Sequence, residues 1–344
     1  MTRFFIAVYQ KQWAVPAKIL CDNLDFQVLN LNCAPYSGFP NKLVIIKQEL
    51  LYILAFLKKF KIVNHSDVII SPNYLALFLL LLKKLNILKV RKLCWFAMFV
   101  HSPKMIRIIG KIVKLLSSSD KGFKIIIFSK AEIHMYSQRW NLPEDLFIYC
   151  PYGDWNEKKY NQDEIKDDNF YFSGGYSNRD YVDLIKIFKK IPEKLIIIAS
   201  KKNTDLIEYQ ENNKINENIQ IFYDLPQQDF DRLLLHSKAV IFHMKDNTGA
   251  SGQMVVLNAM CNRKLIISSQ NDSINDYVQD GLSAIFYNKK NADNELSRII
   301  CSFSEENSEK WRHALTNAAY KEYESKFTYN HLQMELIKSI SRLL

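Results

Sequence analysis

Glycine and proline are scarce in this chain, with nine of each among 344 residues. That scarcity excludes collagen-like and low-complexity proteins and disfavours an all-β protein dense in tight turns. Long hydrophobic runs are also missing, since the longest apolar run covers the nine residues from Tyr74 to Leu82. A membrane span needs about 20 apolar residues, so this run predicts a buried helix. The opening, MTRFFIAVYQKQW, turns polar too soon for a secretory signal and predicts a strand.

Paired cysteines and several common catalytic motifs are absent as well. The six cysteines include no CxxC pair, which argues against a zinc ribbon or a thioredoxin-like site and predicts reduced thiols. GxGxxG does not follow the first strand, and the chain has no GxxxxGKS/T, HExxH or GxSxG. These absences argue against a standard NAD enzyme and a P-loop NTPase. The spacing of His, Asp and Glu suggests no metal cage, and we expect a cytoplasmic protein.

Acidic residues are few in the first half of the chain. Residues 1–151 hold 21 Lys and Arg against 8 Asp and Glu, a net charge of +13, whereas the remainder has a net charge of −3. Between Lys83 and Lys124, eleven basic residues accompany one acid, Asp120. This asymmetry indicates an anionic partner: lipid headgroups, a phosphorylated lipid or nucleic acid. No RNP, KH or zinc-finger pattern is present, so we predict no nucleic-acid binding.

One predicted helix concentrates the basic charge. In PKMIRIIGKIVKLL the cations recur at spacings of 3, 4 and 3, which places Lys104, Arg107, Lys111 and Lys114 on one face. A basic amphipathic helix of this kind binds an anionic membrane surface. The alternative is a core-packed helix whose lysines are only solvated. With the membrane interpretation, we expect a peripheral protein on the inner face of the plasma membrane.

Strand and helix signals alternate along the whole chain. Such alternation predicts parallel sheets covered by helices on both faces. The charged segment Asn156–Asn169 lacks apolar periodicity and predicts a linker between two such halves. We therefore predict an α/β protein with domains at 1–155 and 168–318, followed by C-terminal helices at 319–344.

The first of two glycine-containing turns lies in FYFSGGYSNRDYVDLI, after a predicted strand. Ligands of open parallel sheets bind at the carboxyl ends of strands, where helix N-termini favour phosphate. Gly174 and Gly175 let the backbone approach closely, and Ser177 with Asp180 forms a capping-box pattern. Arg179 lies in the first turn of the helix, where a guanidinium can grip a diphosphate. The alternative is an ordinary strand–turn–helix with a surface arginine.

The second turn lies in HMKDNTGASGQMVVLNAM. A polar loop with Gly249, Ser251 and Gly252 precedes an apolar helix, and Gly-Ala-Ser-Gly is a plausible nest for anionic oxygens. Asn258 falls about two turns into that helix, within reach of a ribose hydroxyl. The alternative is a glycine-rich loop needed only for the turn. Both turns together predict one diphosphate held between them.

The segment ASGQMVVLNAMCNRKLIISSQNDSINDYVQDGLSAIFY resembles the donor-binding region of GT-B glycosyltransferases, especially the family 4-like group. Asp276-Tyr277-Val278 and Asp280-Gly281 match the end of that region. FSGGYSNRDY, IQIFYDLPQQDFDRLLLHSKAVIFH and CPYGDW are similar to further elements of the family, so the resemblance covers residues 147–290. It implies the GT-B fold, with two doubly wound Rossmann-like domains facing across a cleft and a C-terminal helix that crosses back.

The resemblance assigns roles to residues of the second half. The donor diphosphate would be bound by the two turns, through Gly174, Gly175, Arg179, Gly249, Ser251, Gly252 and Gln253. The ribose and base would be bound by Asn258, Tyr223 and Leu225. The family's paired glutamates, which contact donor sugar and ribose, fall on Ala250 and Asn258, so both are replaced. No metal is expected, because Arg179 and the helix N-termini neutralise the leaving diphosphate.

The first half would supply the base and the acceptor side. His101 follows a predicted apolar strand, where many relatives place a histidine, and it suits proton abstraction or sugar binding. The alternative is a structural histidine at a strand end. Gln10 and Trp13 follow the first strand and would border the acceptor.

The function implied by the resemblance is transfer of a hexose from a nucleotide diphosphate sugar, with a UDP-sugar favoured. The acceptor would be lipid-linked, such as a polyprenyl-diphosphate glycan, or a growing surface polysaccharide. The replaced glutamates leave an alternative from another class, a non-catalytic GT-B scaffold subunit of a glycan assembly complex.

Overall fold

Apolar strands and helices alternate through both halves of the chain, as the sequence predicts. The computed structural model describes residues 2–8, 13–34, 42–98, 100, 103–118, 120–153, 167–245, 251–303 and 308–344. The predicted linker falls mostly outside these residues. The chain divides into two compact units: Met1–Pro151 with Leu332–Leu344, and Tyr152–His331.

The first unit is built on a six-stranded sheet. Its strands are β1 (Arg3–Ala7), β2 (Gln27–Asn30), β3 (Val68–Pro72), β4 (Lys92–Phe96), β5 (Phe123–Ile127) and β6 (Phe147–Tyr149). They pair in the order β2-β1-β3-β4-β5-β6, and every pair is parallel. The central strands are buried and rich in Ile, Val and Phe, as is typical of parallel sheets covered on both faces.

Helices of the first unit connect these strands: α1 (Ala14–Leu24), α2 (Lys42–Val63), α3 (Leu75–Lys84), α4 (Pro103–Ser117) and α5 (Lys130–Trp140). Each packs an apolar stripe onto the sheet. In α4 the buried residues Ile106, Ile109 and Val113 recur at spacings of three and four, the period of one helix face. Among the described residues, no helix is both long and apolar enough to cross a membrane.

The predicted strand that precedes His101 is shorter than expected. The apolar run KLCWFAMFV predicts a strand from Lys92 to Val100, but β4 ends at Phe96, and Ala97 has φ 57°. A left-handed residue cannot continue a strand, so the pairing stops there. His101 therefore does not directly follow the strand, and it lies outside the described residues.

The second unit is built on a second six-stranded sheet. Its strands are β7 (Phe170–Gly174), β8 (Lys194–Ala199), β9 (Ile219–Tyr223), β10 (Ala239–Phe242), β11 (Leu265–Ser269) and β12 (Ile285–Tyr287). They pair in parallel in the order β12-β11-β10-β7-β8-β9. The winding direction reverses between β7 and β10, which is the topological switch point where doubly wound sheets bind ligands. The predicted α/β, doubly wound fold class is confirmed.

Helices of the second unit follow the same alternation: α6 (Tyr181–Phe188), α7 (Thr204–Asn212), α8 (Gln227–Leu235), α9 (Gln253–Cys261), α10 (Ala292–Ser302) and α11 (Ser308–Lys326). The last helix, α12 (Tyr329–Ser341), joins the first unit. Two apolar cores form, one on each side of the sheet. Leu257 of α9 belongs to one core and Leu184 of α6 to the other.

The chain returns to the first unit at Leu332, later than the predicted boundary at residue 319. Helix α11 stays with the second unit because its Ala319 and Tyr323 are buried in the α9 core. In α12, Leu336 and Ile340 are buried, and the Ser339 hydroxyl donates to the Tyr149 carbonyl over 3.3 Å.

Gly110 of α4 gives a test of the packing between α4 and α5. A Cβ on Gly110 would collide with the Trp140 indole, which is fixed by its Nε1 bond of 2.9 Å to the Ile106 carbonyl. Gly→Ala inside a helix normally stabilises by about 1 kcal/mol. Here we expect Gly110→Ala to destabilise by about 1–3 kcal/mol, the usual cost of overpacking. Urea unfolding measures the change, and adding Trp140→Leu should relieve it. An increase in stability for Gly110→Ala alone would contradict the packing.

Candidate functional site

The two glycine-containing turns meet at the switch point of the second sheet. β7 ends at Gly174 and the adjacent β10 ends at Phe242. The segments that follow these strands are joined by backbone bonds. The Asp180 amide donates to the His243 carbonyl over 2.8 Å, and the Lys245 amide donates to the Asn178 carbonyl over 3.1 Å. The structure thus brings together the two turns that the sequence singled out.

Arg179 lies between the turns and is 2% exposed. Its Nε donates to the Gly174 carbonyl over 3.2 Å and its Nη1 to the Ser177 carbonyl over 2.9 Å. The guanidinium also lies over the Phe242 ring, 5.1 Å from the centroid. These contacts fix its plane and leave Nη2 without an acceptor among the described residues.

Glycine is needed where the turns approach this guanidinium. A Cβ on Gly252 would lie 3.0 Å from Arg179 Nη2, and one on Gly175 would lie 3.4 Å from the same atom. Both glycines also have positive φ, 91° and 109°, which disfavours any other residue. The two turns therefore enclose the charged end of Arg179 on both sides.

Arg179 carries its positive charge in a buried position. In the part of the chain that the structure describes, no carboxylate forms an ion pair with it. Burial lowers the pKa of the guanidinium, but an arginine still keeps its proton at neutral pH. A buried charge without a counter-charge costs several kcal/mol, so this position favours binding of an anion.

The start of α9 adds further donors next to Arg179. Gly252 is the N-cap and no side chain caps the helix, so its first amides point outward from the positive end of the helix dipole. Ser251 is 3% exposed and Gln253 is 7% exposed. Ser251 Oγ and Gln253 Nε2 are buried and have no hydrogen-bond partner among the residues that the structure describes. Unpaired buried polar groups are uncommon, and these two residues flank Gly252, which lies beside Arg179. Gly249 lies outside the described residues.

Two details of the first turn differ from the sequence interpretation. The N-cap of α6 is Asp180, whose carboxylate accepts from the Asp183 amide over 3.3 Å, so the predicted capping box of Ser177 is wrong. A carboxylate at the start of α6 disfavours an anion there, which leaves Arg179 as the cation of this turn. Gly174 serves packing, because a Cβ on it would lie 2.6 Å from the Phe230 ring and 2.7 Å from the Phe172 ring.

The predicted ribose and base residues lie on neighbouring elements. Asn258 is on α9, and its Nδ2 donates to Asp231 Oδ1 of α8 over 2.9 Å. Its Oδ1 accepts from Asn262 Nδ2 over 2.7 Å. Tyr223 ends the edge strand β9 and donates its hydroxyl to Gln210, while Leu225 packs beside the α9 core. Asn258 is therefore held by protein partners, and its role toward a ribose stays a prediction.

A buried network that the sequence does not reveal supports the same turns. His243 follows β10 and is 1% exposed. Its Nε2 lies 2.8 Å from Asp183 Oδ2 and its Nδ1 lies 2.6 Å from the Tyr287 hydroxyl. Beside it, Lys289 Nζ lies 2.7 Å from Asp180 Oδ2. Its members are far apart in sequence, so no local motif signals them.

This network is satisfied without a metal ion. Asp180, Asp183 and His243 place possible ligand atoms within 4.8 Å of one another. However, both ring nitrogens of His243 have partners, and the Lys289 ammonium already supplies the positive charge at Asp180. Burial opposes ionisation of Asp180, but Lys289 and the Asp183 amide outweigh it and lower the pKa of this carboxyl. The network holds the segment after β10 against α6 and β12.

The residues predicted for the acceptor side belong to the first unit. Trp13 precedes α1, has φ 52°, and packs edge-on against Phe96, 5.2 Å between ring centroids. Phe96 ends β4, so Trp13 lies at the carboxyl end of that sheet. Gln10 lies outside the described residues. The four cations of α4 (Lys104, Arg107, Lys111 and Lys114) are all exposed.

His243 makes stability depend on pH. Burial lowers its pKa in the folded protein, although Asp183 opposes the shift. The unfolded chain therefore binds more protons between the two pKa values, and stability rises with pH there. We expect full stability above about pH 6.5, the ordinary histidine value, and a loss on acidification with a limiting slope of about 1.4 kcal/mol per pH unit. Urea unfolding at several pH values should show this slope, and His243→Gln should reduce it. An unchanged slope would contradict this assignment.

Comparisons with known proteins concern the family and the fold of the chain. Residues 155–322 match the family described as glycosyl transferases group 1. No curated protein matches the chain in sequence. Three solved structures illustrate the likeness in fold over nearly the whole of both chains.

HepE from Anabaena in complex with UDP-glucose is 13% identical, with a TM-score of 0.68 over 99% of this chain and 100% of that one. Sucrose-phosphate synthase from Thermosynechococcus elongatus is 12% identical, with a TM-score of 0.72 over 100% and 99%. WaaG, a glycosyltransferase involved in lipopolysaccharide biosynthesis, is 13% identical, with a TM-score of 0.66 over 98% and 99%. The predicted resemblance is confirmed: the chain has the GT-B fold, and residues 155–322, which make up most of the second unit, match the group 1 glycosyl transferases.

Proposed function

We propose that this protein transfers a hexose from a nucleotide diphosphate sugar and that the second unit binds the donor. The observation that carries the proposal is the buried Arg179, whose charge no described carboxylate neutralises. A diphosphate supplies the missing negative charge and accepts from Nη2. The switch-point position and the match to the glycosyl transferases support the same ligand.

The chemistry requires stabilisation of a leaving diphosphate. The bond between the anomeric carbon and the diphosphate oxygen breaks, and negative charge develops on that oxygen. Arg179 and the first amides of α9 are fixed before the reaction, so they stabilise this charge without rearrangement. The acceptor hydroxyl attacks the anomeric carbon and gives up its proton, and His101 is our proposed base.

Ser251 and Gln253 are proposed to complete the donor site. Both carry buried polar atoms without partners, and a ligand oxygen would satisfy them. Gly249 is proposed to contribute to the same donor site. Asn258, Tyr223 and Leu225 are proposed for the ribose and base. A UDP-sugar is favoured because the structurally similar HepE is described in complex with UDP-glucose.

The acceptor is proposed to be a lipid-linked or growing surface polysaccharide, with a polyprenyl-diphosphate carrier as the favoured form. The basic first unit supports an anionic acceptor, and Gln10 with Trp13 is proposed to border it. Lys104, Arg107, Lys111 and Lys114 would contact the inner surface of the plasma membrane, each contributing about 1 kcal/mol near anionic lipid. This surface gives the protein a peripheral location in the cytoplasm.

A non-catalytic scaffold is the second candidate. The observation that favours it is the state of Asn258, whose side chain already bonds Asp231 and Asn262. Both candidates bind a nucleotide, so turnover separates them. Release of UDP from a UDP-sugar that depends on a lipid-linked acceptor favours the enzyme. Saturable UDP binding without turnover of any nucleotide sugar favours the scaffold.

Titration of UDP by calorimetry tests the donor site. We expect Arg179→Met, which is neutral and similar in volume, to weaken UDP binding about ten- to a hundredfold, because a charged hydrogen bond contributes about 1.5–3 kcal/mol. Arg232→Ala is the matched control, since that side chain is 68% exposed. Ser251→Ala removes an unpaired hydroxyl without disturbing packing and should weaken binding about three- to tenfold. Unchanged affinity in both site variants would refute the site.

The proposed sugar transfer is expected to need no metal ion, and this expectation can be tested separately. Arg179 and the α9 amides are proposed to do what a divalent cation does for leaving diphosphates in other enzymes. We therefore expect UDP release to continue at the same rate in excess EDTA. Loss of activity that added Mg²⁺ or Mn²⁺ restores would contradict this part of the proposal.

A further inference from the structure

Helix α2 carries leucines on the side that faces away from its core contacts. Tyr52 and Phe56 are fully buried on one side of the helix. Leu50, Leu54 and Leu57 recur at spacings of four and three on the opposite side and are 46–56% exposed. A helix packed on a soluble core usually has charged residues at such positions. These leucines therefore indicate a second apolar partner.

Helix α4 has an exposed apolar stripe beside its basic one. The stripe consists of Met105, Ile108, Ile112 and Leu115, each 37–71% exposed. Each member directly follows one of the cations Lys104, Arg107, Lys111 and Lys114. The core side of α4 is formed by other residues, Ile106, Ile109, Val113 and Leu116. Helix α4 therefore has three stripes, and two of them face solvent.

These two helices belong to one layer. Helix α3 packs against both α2 and α4, and its exposed Leu81 and the following Leu85 add to the apolar surface. Fourteen of the twenty large apolar side chains that are exposed among the described residues fall between Val44 and Leu115. Exposed apolar patches of this extent mark an interaction site. We call the outer face of α2, α3 and α4 the α2–α4 surface.

We propose that the α2–α4 surface inserts into an anionic bilayer. Its apolar stripes would enter the boundary between headgroups and acyl chains, and the lysines beside them would contact lipid phosphates. Exposed cations lie beside the leucines of α2 as well, at Lys47, Lys58 and Lys61.

Charge favours a bilayer over a second copy of the chain. Two copies joined through the α2–α4 surface would bring lysines against lysines, which opposes association. An anionic bilayer offers both an apolar phase and the opposite charge. Insertion goes beyond the electrostatic contact proposed for α4, because it places α2 in the membrane and makes part of the binding insensitive to salt.

Membrane insertion deepens the proposed function and rests on it in one respect. A lipid-linked acceptor would lie in the same bilayer that the α2–α4 surface enters. The binding itself is measured without donor or acceptor. Failure of vesicle binding would leave the donor site untouched, and failure of UDP binding would leave the α2–α4 surface untouched.

Vesicle flotation with the full chain tests the proposal. The probes are vesicles of phosphatidylcholine with and without phosphatidylglycerol, at low and high NaCl. We expect binding to the phosphatidylglycerol vesicles that is only partly lost at high salt. Leu54→Glu with Leu57→Glu should lower the bound fraction about tenfold or more, because charge replaces inserted apolar area. Both positions are exposed, so UDP affinity should stay at the wild-type value and report an intact fold.

Leu282→Glu is the matched control, because Leu282 is 54% exposed in the second unit and should tolerate the charge without loss of binding. Three outcomes would overturn the proposal. The wild-type chain fails to bind phosphatidylglycerol vesicles, the double α2 variant binds as well as the wild type, or all binding disappears at high salt. A dimer in sedimentation that Leu54→Glu converts to a monomer would assign the surface to a second copy instead.

Discussion

The candidate site in the second unit depends on one constraint, the burial of the Arg179 guanidinium, whose charge no described carboxylate neutralises. Its hydrogen bonds go to two carbonyls and to the Met244 sulfur, which orient the charge but do not neutralise it. Gly252 leaves it the space it occupies, since a Cβ there would lie 3.0 Å from Nη2, and a Cβ on Gly175 would contact the same atom at 3.4 Å. An arrangement that is costly in the free protein becomes favourable once an anion is bound. The start of α9 likewise carries polar atoms without partners among the described residues, at Ser251 and Gln253.

The network around His243 explains how such a site stays in place. Of the described residues between β10 and α9, Met244 is the apolar one that is buried. His243 bonds Asp183 of α6 and Tyr287 of β12, so one residue joins the loop to both neighbouring elements. A neutral imidazole with one donor and one acceptor fits these partners. The network positions the backbone beside Arg179, whereas Arg179 would contact the ligand.

Much of the fold could be predicted from the sequence, because alternation of strands and helices fixes a parallel architecture and glycines mark the turns at the switch point. Arg179 could be singled out as a candidate because it follows the glycines of one of these turns. The sequence could not reveal that Ala97 ends β4 or that Gly174 makes room for Phe230, since both depend on packing between distant segments. It also gave the wrong cap for α6, because Ser177 and Asp180 both suit that role and only the backbone path decides between them.

The exposed faces of α2 and α4 show a different limit of sequence reasoning. A sequence rich in leucine predicts burial, and composition does not say whether protein or another apolar phase provides it. In α4 the sequence shows the basic face, but it does not show that the apolar residues between the cations form two stripes, one buried and one exposed. In α2, Leu54 is as apolar as Phe56, and only the position of the sheet distinguishes the two. Most of the exposed large apolar side chains lie in the half of the chain with a net charge of +13, so the same surface would repel a second copy of itself and attract an anionic bilayer.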